Sequence, residues 1–112
     1  MNYDVKIDQY GTKRYYVNNA LHREDGPAIE HLSGAKEWYK NGKRHREGKP
    51  AVEYNSGEKV WYKDGQLHRE DGPAVEGFNG YKKWYLNDTL HGVNEDFTNK
   101  SWQTFIKTLI FS

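Results

Sequence analysis

Histidine, arginine and carboxylates recur in a fixed order along this 112-residue chain, and they are the first candidates for chemistry. His22, His45, His68 and His91 return at one constant interval, and the first three lead into Arg23-Glu24, Arg46-Glu47 and Arg69-Glu70. Imidazole beside carboxylate is the make-up of a metal site or an acid–base pair. The spacing argues against a shared ion. If the chain runs as strands, equivalent positions in successive units lie two strands apart, roughly 9–10 Å. Metal–nitrogen bonds are about 2 Å, so the four histidines cannot converge on one ion. His68, Glu70 and Asp71 are nearer to one another, but only a bend would bring them together. The histidines are therefore expected to be structural, with each imidazole packed on a ring and hydrogen-bonded to turn backbone. No metal and no cofactor is expected.

His-Arg-Glu-Asp is superficially like the catalytic loop of protein kinases. That chemistry also needs a glycine-rich phosphate loop and a metal-binding aspartate, and neither is present. G-x-S-x-G, P-loop, H-E-x-x-H and G-x-G-x-x-G patterns are likewise missing. With no cysteine there is no thiol nucleophile. The chain reads as no enzyme. Arg23, Arg46 and Arg69 admit two readings. They could form an ion-pair ladder with the neighbouring Glu24, Glu47 and Glu70, or a stripe of guanidinium groups for an acidic partner. Lys13, Lys36, Lys59 and Lys82 form a similar row, with stems expected over rings and heads in water.

The elements that must position these groups follow from the same period. Trp38, Trp61 and Trp84 recur at the histidine interval, with Tyr15 in the preceding slot and Tyr16, Tyr39, Tyr62 and Tyr85 next in line. Pro27, Pro50 and Pro73 keep step, as do Ala28, Ala51 and Ala74, and then Ile29, Val52 and Val75. Each unit carries two turn signals, Asn41-Gly42 or Asp64-Gly65 after the ring pair, and Ser33-Gly34, Ser56-Gly57 or Asn79-Gly80 after the Ala-Val-Glu run. Two short strands per unit are expected, with a looser connection over 68–73 and a starting strand near Tyr3–Ile7. If the Ser-Gly pair is a two-residue loop, Val52 faces Trp61, Ile29 faces Trp38 and Val75 faces Trp84. Trp and Val would then share the buried face, and the opposite face would carry Ala, Glu and the second Tyr. A slip of one residue would invert both faces. Trp38, Trp61 and Trp84 are expected in the core, and Tyr39, Tyr62 and Tyr85 are candidates for an exposed binding row.

Near the C-terminus Trp102, Phe105, Ile106, Leu109 and Ile110 step as one stripe of a helix. Thr98, Asn99 and Ser101 are candidate N-caps. The helix should cap the sheet. Alternatively, Trp102, Phe105, Leu109 and Phe111 make a dimer contact or grip a target groove. Seventeen Lys and Arg against 16 Asp and Glu leave about +1. That balance weighs against a dedicated nucleic-acid or membrane binder. The chain is 29% charged, but its aromatic content of 15% argues against disorder. No apolar run approaches the roughly 20 residues of a membrane span, and the N-terminal stretch carries no signal-peptide core.

The units holding Trp38 and Trp61 read Trp-Tyr-x-[Asn/Asp]-Gly-x-x-His. They resemble the MORN repeat family, whose units have about the same length and run Y-x-G-x-W-x-x-G-x-x-H-G-x-G. The likeness spans residues 11–92, although Arg23, Arg46 and Arg69 replace the glycine after His, which only Gly92 keeps. The H-R-E-D-G-P-A form looks like a variant of bacteriophage and giant-virus proteins. The resemblance implies a β-hairpin solenoid; together with the strands and the helix stripe read above, the expected fold is mainly β, an antiparallel β-hairpin meander or solenoid of 23-residue repeats with one C-terminal amphipathic α-helix. One domain is expected, with a starting strand over 1–10, repeats over 11–92 and a helical cap over 93–112. The function implied is binding. The first expectation is a phage accessory protein in the host cytoplasm that blocks a host protein, such as a CRISPR–Cas or restriction component. The candidate contacts are Arg23, Arg46, Arg69, Tyr39, Tyr62 and Tyr85. Other expectations are a nucleic-acid or nucleotide binder using the Arg, Lys and Tyr rows, an anionic-lipid binder, or a structural homodimer.

Overall fold

A computed structural model describes residues 2–111, with the side chains of Ile110 and Phe111 outside the described set. The chain is mainly antiparallel β, a meandering sheet of hairpins followed by one C-terminal helix, and measures 46 × 31 × 19 Å. The sheet runs in order through Asp4–Ile7, Lys13–Val17, Ile29–Glu30, Lys36–Glu37, Val52–Glu53, Lys59–Val60, Val75–Glu76, Lys82–Leu86 and Thr89–Val93. The looser connection over 68–73 contains no strand.

Each inner unit contributes four short strands where two were expected. Two join the main sheet, and two form a side hairpin, Tyr39–Lys40 with Lys43–Arg44 or Tyr62–Lys63 with Gln66–Leu67. The side hairpins turn through Asn41-Gly42 at φ 52° and 81° and Asp64-Gly65 at φ 50° and 82°. Two successive positive φ values make the two-residue turn whose twist matches the strands, which is why Asn or Asp precedes Gly there. Successive turns stack, as the Gly65 N–H donates to the Arg44 carbonyl at 2.8 Å.

The other turn corrects the expected register. Val52 faces Val60 and Glu53 faces Lys59, one residue away from a Val52–Trp61 pairing. Ile29 likewise faces Glu37, and Val75 faces Lys83. The cause is a three-residue loop. The Tyr54 N–H donates to the Glu58 carbonyl and the Gly57 N–H to the Tyr54 carbonyl, with Gly57 at φ 98°. The extra residue moves Trp off the valine face. Val52, Val60 and Val75 form one buried cluster, packed by Tyr62, Leu67, Tyr81 and Tyr85. Tyr62 and Tyr85 therefore share the Val face, which corrects the expected division of Trp from Tyr. Ala28, Ala51 and Ala74 are fully buried, and their carbonyls accept the N–H of Tyr15, Trp38 and Trp61 at 2.7–2.8 Å.

The helix α1 spans Asn99–Phe111. Thr98 caps it. The Ser101 N–H donates to Thr98 Oγ1 at 3.0 Å, and the Thr98 N–H to Ser101 Oγ at 2.9 Å, a reciprocal capping box. Trp102 and Ile106 pack against fully buried Trp84, with Phe97, Phe105 and Leu86 around them. The helix therefore folds back onto its own chain, and the indole N–H of Trp102 donates to the Arg69 carbonyl at 2.9 Å. The helix leaves the last strand partly uncovered, since Leu90 and Val93 remain exposed. Among the described residues no helix is long and apolar enough to cross a membrane.

Candidate functional site: a groove between the Arg–Trp stacks and the helix

The connection after each histidine is built around a stacked arginine. Arg46 lies over Trp38 and Arg69 over Trp61, with the guanidinium carbon 3.7 Å from each ring centroid, and Arg23 lies over Tyr15 at 3.9 Å. Stacking of this kind contributes about 0.5–2 kcal/mol, more where water is excluded. Each arginine also donates through Nη1 to the carbonyl of Pro27, Pro50 or Pro73, at 3.1 Å in all three cases. The same nitrogen reaches Glu30, Glu53 or Glu76 at 3.4, 3.3 and 2.9 Å. The ion pairs therefore run onward to the glutamate beyond the proline. The adjacent Glu24, Glu47 and Glu70, expected as the arginines' partners, belong to the histidines.

Each of His22, His45 and His68 ties its unit to the next. The N–H of Asn41, Asp64 and Asn87 donates to Nδ1 of His22, His45 and His68 at 3.0, 3.0 and 3.1 Å. With Nδ1 accepting, the network assigns the proton to Nε2. Nε2 then faces Glu24 at 3.4 Å, Glu47 at 2.7 Å and Glu70 at 3.3 Å. The hydrogen bond from His45 holds the Glu47 carboxyl below the usual range. The expected bonding of imidazole to turn backbone is thus observed at three of the four positions. His91 instead packs on Trp102 and Phe105, at 5.9 and 5.4 Å between centroids. Among the described residues no cluster of three or more His, Asp or Glu could hold a metal ion.

Where α1 crosses these connections it leaves a groove of about 470 Å³. Arg46, Gly48, Trp61 and Arg69 line one side, and Gln103, Ile106 and Lys107 of the helix line the other. Glu47, Lys63, His68, Glu70 and Asp71 complete the rim, with Tyr62 also in the lining. Of the six candidate partner-binding residues, the groove brings together Arg46, Arg69 and Tyr62. Arg23 lies outside it, on Tyr15 at the start of the sheet. Tyr39 bonds Glu37 through its hydroxyl at 3.4 Å, and Tyr85 packs on the valine cluster. The side chains of Arg23, Arg46 and Arg69 are 19%, 22% and 17% exposed, so each presents only an edge. Among the ring series Tyr15, Trp61 and Trp84 are buried and Trp38 is half-buried. Of the helix candidates, Trp102 and Phe105 pack inside the chain, Leu109 is 43% exposed, and the Phe111 side chain lies outside the described residues.

The sequence reading missed Gly48, Lys63, Gln103, Ile106 and Lys107 as groove residues. One signal for the site was present. Numbering the units by their histidines, units one (His22) and three (His68) read Glu-Asp-Gly-Pro, whereas the middle one, unit two (His45), reads Glu47-Gly48-Lys49-Pro50. The helix residues carried no such signal, because their position depends on the return of Trp102 to the distant Arg69. Compared with family models, curated proteins and solved structures, the chain matches none.

Proposed function

We propose that this chain is a protein-binding module without enzymatic chemistry, and that it takes a segment of its partner into the groove between α1 and the Arg–Trp stacks. One observation carries the reading. The groove has an apolar floor at Trp61 and Ile106 beneath a charged rim, and its walls are held by bonds internal to the chain. Pre-formed walls reduce the ordering cost of binding. Trp and Arg together are also the residue types that anchor protein interfaces. The repeat reading, a β-hairpin solenoid of MORN type, is supported by the return of the same His, Arg and turn contacts from unit to unit. The narrower idea of a phage protein that blocks a host defence component is supported by the H-R-E-D-G-P-A sequence form alone.

The test fills the groove from its exposed helix wall. Gln103→Trp and Lys107→Glu alter surface positions, so folding should be unaffected, as circular dichroism would verify. Affinity capture with the unaltered chain should retain a specific protein, and the double variant should lose it. Equal capture by both chains would overturn the groove as the binding site.

A further inference from the structure

The three stacked arginines differ at one atom. Arg23 donates through Nε to Asp25 at 3.0 Å, and Arg69 donates through Nε to Asp71 at 2.9 Å. The residue equivalent to those aspartates in the middle unit is Gly48, and among the described residues Arg46 Nε makes no hydrogen bond. Its Nη1 is occupied by Pro50 and Glu53, as in the other units. Arg46 therefore has the same stack and the same inner anchors but lacks the outer carboxylate.

The loop is rebuilt around that gap. In the outer units the next residue is glycine because the guanidinium lies over it. A Cβ would come 3.0 Å from Arg23 Cζ at Gly26 and 2.7 Å from Arg69 Cζ at Gly72. In the middle unit the glycine moves one place earlier, to Gly48 at φ 70°, and Lys49 takes the other position. Exchanging Asp-Gly for Gly-Lys turns a local −1 into +1. Arg46 and Gly48 both line the groove, and so do Lys63 and Lys107, neither of which is in an ion pair among the described residues. The acidic groups on the rim are already held: Glu47 by His45, Glu70 by His68 and Asp71 by Arg69.

We propose that the open Nε edge of Arg46 receives one aspartate or glutamate side chain from an acidic segment of the partner protein, in the place that Asp25 and Asp71 fill in the sibling units. This rests on the groove being a protein-binding site and names the chemistry of what enters it. A carboxylate is favoured over other anions because the chain itself shows that group seated on this edge twice. A planar guanidinium fixed by stacking and two inner bonds is pre-organised for such a partner.

The experiment follows the arginine ε N–H resonances of the full chain by NMR during titration with a blocked hexapeptide containing Asp and Glu. It needs no natural partner, so it reports on Arg46 independently of the capture experiment. The Arg46 signal should move, with Arg23 and Arg69 still, and Lys63 and Lys107 amides should shift along the groove. Gly48→Asp with Lys49→Gly imports the loop sequence that already folds at 24–27 and 70–73. It should bring the Arg46 signal to the position of its siblings and weaken peptide binding about tenfold or more, the worth of one charge-assisted bond. The proposal is overturned if none of the three signals moves, if all three move alike, or if inorganic phosphate shifts Arg46 while the peptide does not.

Discussion

Trp61 and Trp84 occupy equivalent places in successive units and are roofed by different chemistry. Over Trp61 lies the Arg69 guanidinium, anchored by Asp71, Pro73 and Glu76. Over Trp84 the corresponding residue is Gly92, and Trp102 and Phe97 cover the ring at 5.5 and 5.6 Å. An inner unit can leave one edge of its roof in water because the next unit shields the rest. After the unit holding Trp84 the chain passes into α1, whose aromatic side chains complete the enclosure, and Trp84 is fully buried. Gly92 permits this, since a Cβ there would come 2.8 Å from the Phe97 ring and 3.0 Å from Asp96. A charged roof thus leaves an edge that can bind, whereas an apolar roof seals. The candidate site lies where the two kinds meet.

The comparison breaks most severely at the closing end. Trp102→Ala should destabilise the chain by about 3–5 kcal/mol, the usual cost of emptying a buried indole, read as a shift in the urea midpoint. Gly92→Ala should cost about 1–3 kcal/mol by overpacking Phe97, and near-neutrality would show that the helix roof is loose. Arg69→Met keeps an apolar cover on Trp61 but strands the Pro73 carbonyl and Glu76, for a loss of about 1–3 kcal/mol. Arg46→Met should lose less than Arg69→Met, because Arg46 has one carboxylate fewer to strand. In His68→Leu the Asn87 N–H loses its acceptor. A smaller effect of about 0.5–1.5 kcal/mol is expected there, the net worth of one hydrogen bond.

A second pair of regions differs on the valine face. Unit three places Val60 and Leu67 where unit two has Glu37 and Arg44, bonded at 3.1 and 3.2 Å, with His31 on the other Glu37 oxygen at 2.7 Å. Burial pushes the Glu37 carboxyl up, but the bonds from His31 and Arg44 outweigh it, and it titrates below the ordinary range. Its folded pKa is thus the lower one. Its contribution is complete above the ordinary carboxylate range and is lost as pH falls through the depressed value. Glu37→Val with Arg44→Leu should be neutral or stabilising at neutral pH and should remove that part of the acid limb. An unchanged acid limb in melts across pH would contradict the assignment.

Much of the sheet was legible in local chemistry. Asn41-Gly42 and Asp64-Gly65 named their turn type, and the stripe from Trp102 to Leu109 named the helix. The register was not legible, because Asn55-Ser56-Gly57 serves as a three-residue loop while Ser56-Gly57 alone suggests a two-residue one. That single residue decides whether Val52 meets Val60 or Trp61. That imidazole bonds turn backbone was readable, but which turn was not, because the donor lies in the next unit, 19 residues on, and not in the turn beside the histidine. The arginine partners were not readable, because Glu24 is adjacent in sequence while Glu30 is brought close by the return of the chain past Pro27. The groove depends on Trp102 meeting Arg69 from far along the chain, beyond any local pattern, and only Gly48-Lys49 marked it.

Whether the groove is the surface that meets a partner is tested most directly by residue-specific photo-cross-linking. A photoreactive side chain is placed at Gln103 on the helix wall and, separately, at Phe78, which is 70% exposed and not part of the groove lining. One specific protein adduct is predicted from position 103 and none from position 78. Adducts from position 78 with none from position 103 would contradict the groove as the binding surface.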